Sequence, residues 1–122
     1  MQAFTRPEHR ELTKDERVLL EWLLANGVPD AQKYAPQVSD LRVVGTCTCG
    51  CPTLDLAPSN RNEKTTGPSH ILADFDGWTP EGVQVGVTLH AREGHISELE
   101  VYAIQDFEGR FNLPAIESLK RS

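Results

Sequence analysis

The sequence predicts an α+β domain in which two N-terminal helices pack on one face of a meandering antiparallel sheet of four or five strands. Three observations predict it. A capped amphipathic helix stands near the start, with a capping box at Thr13 and Glu16 and with Leu19, Leu20, Leu23 and Leu24 at helical spacing. Later segments, His70 to Asp76, Val83 to His90 and Glu98 to Ala103, alternate apolar and polar residues with the period of half-buried strands. Helices and strands follow one another as blocks, which is the order of an α+β domain.

Taken in order, residues 1–11 are polar and are expected to form a loose N-terminal arm. The first helix runs from Lys14 to Asn26. The Thr13 hydroxyl can accept the Glu16 amide while the Glu16 carboxylate reaches back, and Asn26-Gly27 with Pro29 beyond marks the stop. Ala31, Tyr34, Ala35 and Val38 suggest a second short helix, disturbed by Pro36, which lacks an amide N–H. The sheet begins at Leu41, and the stretch to Leu56 holds every cysteine of the chain, Cys47, Cys49 and Cys51. Leu41, Val43, Gly45 and the three cysteines share one parity, which in a strand means one face. The apolar residues change parity at Gly50-Cys51-Pro52, which reads as a bulge or tight bend before Leu54 and Leu56.

Residues 58–69 form a long polar loop, and His70 to Asp76 form a strand that ends in a turn region at Gly77 to Gly82. In the hairpin that follows, a three-residue loop Arg92-Glu93-Gly94 pairs Val85 with Val101 and Val87 with Leu99, with Gly94 left-handed. A two-residue turn at Glu93-Gly94 would instead set Val87 against Glu100. Phe111, Leu113 and a short helix starting near Pro114 close the chain.

The 122 residues make one domain, large enough for a hydrophobic core. A net charge of −6 argues against nucleic acid as the main partner. Met1 to Glu16 has no apolar run of signal-peptide type, and no run is long enough to span a membrane. Three clustered cysteines in such a chain fit a reducing, cytoplasmic setting.

The cysteines admit three readings. Reduced cysteines behave as small apolar residues, so their common parity with Leu41 and Val43 places them in the core. As a zinc site, their sulfurs would have to lie roughly 3.8 Å apart around an ion with Zn–S bonds of about 2.3 Å. Alternate residues of a strand have Cα atoms roughly 6.6 Å apart. A bend at Gly50 is therefore needed to bring the thiolates together. The spacing is Cys-x-Cys-x-Cys rather than Cys-x2-Cys, and a fourth ligand would come from His9, His70, His90 or His95. In a thiol-redox protein, a Cys49–Cys51 disulfide would close a small, strained and labile ring.

Ile71-Leu-Ala-Asp-Phe-Asp-Gly77 resembles the first motif of haloacid-dehalogenase-like phosphatases. That likeness would make Asp74 a nucleophile and Asp76 an acid/base, with magnesium. It covers seven residues, Trp78 stands where that family has Thr, and a hairpin follows where further β/α units are needed, so no catalytic residue is assigned. Val43-Val-Gly-Thr-Cys-Thr-Cys-Gly-Cys-Pro-Thr53, together with Gly94-His-Ile-Ser-Glu-Leu-Glu-Val-Tyr102, resembles a family of small bacterial proteins of unknown function. In size and charge the chain is also similar to immunity proteins of bacterial toxin systems.

The leading expectation is a non-enzymatic cytoplasmic binding protein that needs no cofactor and neutralises a basic protein partner. Its partner surface would be the polar side of the hairpin, Gln84, Thr88, His90, Glu98, Glu100 and Tyr102. In the register above Glu98 lies beside Thr88 and Glu100 beside Gly86, so that Glu100 and Tyr102 flank a shallow dip. The alternative is a small zinc-binding or thiol-redox protein using Cys47, Cys49 and Cys51.

Overall fold

The computed structural model describes residues 5–105, 107 and 109–121. Its elements are β1 (Thr5–Glu11), α1 (Lys14–Asn26), a 3-10 helix (Pro29–Asp40), β2 (Leu41–Cys47), β3 (Leu54–Pro58), β4 (His70–Trp78), β5 (Gln84–Arg92), β6 (His95–Ala103), a 3-10 turn (Ile116–Ser118) and β7 (Lys120–Arg121). The seven strands form one antiparallel sheet in the order β1-β2-β3-β6-β5-β4-β7.

The α+β class is as the sequence predicts, and the strand count exceeds four or five. The extra strands are the two edges, β1 and β7. Neither carries apolar alternation. Charges and a proline are what a sheet edge tolerates, so neither edge announces itself by hydrophobic periodicity. Residues 5–11, expected as part of a loose arm, are therefore strand, while residues 1–4 of that arm lie outside the described residues. Arg10 ties β1 to the helix through two bonds of 3.0 Å to the Glu16 carboxylate.

In α1 the capping box is formed in both directions. The Glu16 amide donates to Thr13 Oγ1 (3.1 Å) and the Thr13 amide to Glu16 Oε1 (2.8 Å). Leu19, Leu20, Leu23 and Leu24 are fully buried against Val43, Leu56, Phe75, Val87 and Leu99 of the sheet. Each such leucine contributes up to about 1.5–3 kcal/mol of transfer free energy. The second helix is 3-10 rather than α over its whole length, with Pro36 inside it. Proline cannot make the i to i−4 bond, and its ring clashes with the preceding turn of an α-helix.

Besides a register shift between Pro7 and Arg10 at the β1 edge, three bulges set the faces of the sheet. In β2, Val43 pairs with Leu56 and Gly45 with Asp55, leaving Val44 as the extra residue. In β4 Leu72 is extra, between Ile71–His90 and Ala73–Leu89. In β6 Ser97 is extra, between His90–Glu98 and Ala91–Ile96. The last of these corrects the hairpin. The turn is the two-residue one, Glu93-Gly94, with φ of 53° and 78°, and it pairs Val85 with Ala103, Val87 with Val101 and Leu89 with Leu99. Without a bulge this turn would oppose apolar residues to charges, and the extra Ser97 restores the phase. Gly94 is left-handed as expected, and Glu93 joins it.

A thiol corner on the helix-free face

The helices cover one face of the sheet, and the candidate site lies on the other. The bulge at Val44 is the decisive local feature. It turns the parity of β2, so Gly45 pairs with Asp55, which in turn pairs with Glu98, while Leu54 and Leu56 point to the core. Cys47, two residues beyond Gly45, emerges on the same helix-free side.

The cysteines are therefore not core residues, which corrects the burial expected from their parity with Leu41 and Val43. Cys49 is exposed, Cys47 and Cys51 are half-buried, and all three are free thiols. β2 ends at Cys47, and the chain bends at Gly50, whose φ is +102°. A Cβ on Gly50 would lie 3.0 Å from the Gly109 carbonyl oxygen, and the Phe111 amide donates to Gly50 O (3.4 Å). The bend gathers the ligating atoms of Cys47, Cys49 and Cys51 within 4.8 Å of one another. The Cys49 and Cys51 sulfurs are 2.9 Å apart. The Cys49 amide donates to Cys47 Sγ and the Cys51 amide to Cys49 Sγ, both at 3.3 Å. Thr53 anchors the loop to β6, because its hydroxyl both accepts from the Val101 amide and donates to the Val101 carbonyl, each at 2.9 Å.

Burial pushes the Cys47 thiol up to about 12, with the neighbouring Cys49 and Cys51 adding to it. Burial also pulls Cys49 upward, but hydrogen bonds from the Cys47 and Cys51 thiols and the Cys51 amide outweigh it, and the Cys49 thiol lies below its ordinary value. Cys49 is thus where negative charge on the cluster is best supported.

The cysteines line a cleft of about 410 Å³ together with Glu98, Glu100 and Tyr102, and Phe107 and Phe111 lie on its wall. Those two rings meet edge to face at 5.7 Å. A larger hollow of about 650 Å³ lies between the start of α1 and Leu113–Ile116; of its two carboxylates, Asp15 and Glu16, the latter is already paired with Arg10 and Thr13.

The six residues predicted as a partner surface share this helix-free face, in a register different from the expected one. Gly86 pairs with Tyr102, Thr88 with Glu100 and His90 with Glu98. The dip at Gly86 is filled by the Tyr102 ring, not flanked by it. Glu98 is held by Arg92 (3.3 Å) and Lys64 (3.5 Å), and Lys64 also meets Asp55 (3.0 Å). His90 bridges Glu100 (2.8 Å) and Ser69 Oγ (2.6 Å). Thr88 is buried and donates to Asp74 (3.3 Å). Tyr102 is exposed, and the Glu100 side chain reaches solvent to a similar degree. Burial, reinforced by Asp74, Asp76 and Glu100, raises the Tyr102 phenol above its ordinary value.

Sequence reasoning missed Asp55, Lys64, Ser69 and Arg92 here. Asp55 alternates with Leu54 and Leu56, a readable signal. Lys64 and Ser69 arrive from the 58–69 loop, where no periodicity indicates a destination. Asp74 and Asp76 both lie inside β4, which continues to Trp78, rather than in a loop beyond a strand end. Among the described residues no His, Asp or Glu joins the three cysteines in a metal-sized group. His70 is engaged with Asp30 (3.0 Å), and His90 as above.

Comparison with known proteins finds no family model, no curated protein and no solved structure that matches this chain.

Proposed function

We propose that this is a non-enzymatic binding protein whose ligand is a thiophilic metal ion such as zinc, held by Cys47, Cys49 and Cys51 on the helix-free face. One observation carries this reading: three soft sulfur donors lie within 4.8 Å of one another on a preformed turn. Thiolates select soft and borderline cations over magnesium or calcium. The fit requires a small rearrangement. Sulfurs sharing one zinc stand roughly 3.8 Å apart, so the Cys49 and Cys51 sulfurs, now 2.9 Å apart, must spread. Cys49 is exposed, and its spreading gives up the bond from the Cys51 amide. The test is elemental analysis and cobalt(II) titration of reduced protein. The expected result is about one ion per chain with a thiolate charge-transfer band, lost in Cys49→Ser. Absence of bound metal and of the band in the parent protein would refute the reading.

A second reading keeps the basic protein partner. Its support is that Tyr102 and Trp78 are exposed on the helix-free face, where the Glu100 side chain also reaches solvent. Glu98 is an internal ion-pair partner of Arg92 and Lys64, so its replacement tests stability, not docking. The variant is Glu100→Lys with Tyr102→Ala, with urea unfolding checking that loss of the His90 bond and of the Tyr102 packing leaves the fold intact. It should lose capture of a basic partner that the parent protein retains, and equal capture by both would remove this reading.

A further inference from the structure

We propose that Cys49 and Cys51 are the attacking and resolving thiols of a thiol–disulfide exchange site whose substrate is an accessible disulfide flanked by apolar groups. This stands apart from the metal reading, because it needs two of the cysteines and not the third.

The geometry assigns the roles. Cys49 is the exposed thiol, the one an incoming disulfide can reach. Its sulfur accepts the Cys51 amide (3.3 Å), a bond that supports charge on an attacking sulfur. Cys51 is half-buried, less open than Cys49, and its sulfur stands 2.9 Å from that of Cys49, adjacent to any mixed disulfide formed there. Gly50 between them sits at φ +102°, a torsion glycine adopts without strain, and this torsion folds the two side chains toward one another. Cys47 is also half-buried, and its sulfur accepts the Cys49 amide. Phe107, Phe111 and Tyr102 give the cleft an apolar wall on which the flanks of a peptide disulfide can rest.

The exchange balances in two steps. The Cys49 thiolate attacks one sulfur of the substrate disulfide, forming a mixed disulfide and expelling the other half as a thiolate that takes up a proton. The Cys51 thiol then loses its proton and attacks the Cys49 sulfur, releasing the second half as a thiol. The protein gains the Cys49–Cys51 disulfide and the substrate is reduced by two electrons. The ring so formed is small and strained, so it is readily reopened, and the reverse reaction delivers a disulfide to a dithiol.

The test uses the full chain, reduced and then exposed to glutathione disulfide or to a synthetic peptide disulfide with aromatic flanks. Intact mass and peptide mapping should show a loss of two hydrogens located at Cys49–Cys51, with faster exchange for the aromatic peptide. Cys51→Ser should stop at a mixed disulfide on Cys49, and Cys49→Ser should form neither product. Exchange should run unchanged in the presence of a chelator, and cobalt(II) uptake by the reduced protein needs no disulfide substrate, so each proposal can fail without the other. Circular dichroism of every variant checks that the fold is kept. A bridge that includes Cys47, a stable adduct on the parent protein with no internal disulfide, or equal exchange by the urea-unfolded chain would overturn the assignment.

Discussion

The ring of Tyr102 lies on the backbone of Gly86, its partner across the β5–β6 ladder, so closely that a Cβ at Gly86 would collide with Cζ and Oη of the phenol. The absence of a side chain at one position thus sets the rotamer of the other, and it does so on the floor of the candidate site. Gly86→Ala is expected to expel the ring and to cost about 1–3 kcal/mol, the usual range for an overpacked contact. Chemical denaturation measures the loss. In Tyr102→Ala the same glycine replacement should cost much less, since neighbouring substitutions couple.

The β5–β6 turn holds Glu93 at φ 53° and Gly94 at φ 78°. Both central residues are left-handed, the geometry that favours Asn-Gly. Gly94→Val should destabilise by about 1 kcal/mol or more, because a β-branched residue resists positive φ. Glu93→Asn should raise the melting temperature. A fall in melting temperature with Glu93→Asn would contradict the turn.

Glu16 is 8% exposed and accepts from Arg10 and from the Thr13 amide. Burial raises its pKa, but the bonds from Arg10 and Thr13 outweigh this, and the folded value lies below the ordinary 4.5. A depressed folded value means that the unfolded state binds the proton more readily, so the stabilisation is present above 4.5 and is lost as pH falls through the folded value. Glu16→Gln should therefore cost about 1–2 kcal/mol at neutral pH. The gap between parent and variant should close on acidification below the ordinary glutamate range. Urea unfolding at a series of pH values measures it.

Thr53 supplies both partners of the Val101 backbone through one hydroxyl. Thr53→Val leaves an amide and a carbonyl of β6 unpaired and should cost about 1–3 kcal/mol. The cysteine turn loses its tether at the same time, so cobalt(II) affinity should fall although every thiol remains. Unchanged affinity would show that the turn is held by other contacts.

Metal binding displaces thiol protons, and the Cys47 thiol, pushed up to about 12 by burial, has a proton to lose at neutral pH. Ion uptake should therefore acidify a weakly buffered solution, and apparent affinity should rise with pH. A pH-independent affinity would argue against thiolate ligation.

What the sequence by itself determined is what local rules decide. The limits of α1 follow from Thr13, Glu16 and Gly27, and the buried side of that helix follows from its four leucines. β3, β4, β5 and β6 were legible because each alternates between a covered and an uncovered face. Only the tertiary structure decided the phase. A bulge is one extra residue with no composition of its own, yet at Val44 it carries Cys47 from the core side to the open side, and at Ser97 it shifts the hairpin register by one residue. The edges β1 and β7 were hidden for a related reason, since an edge strand is defined by hydrogen bonds to one neighbour and needs no apolar pattern. The same holds for the site. Three cysteines close in sequence are plain to read, but whether their sulfurs converge depends on the torsion at Gly50 and on the two bonds from Thr53 to Val101, contacts that no local periodicity encodes.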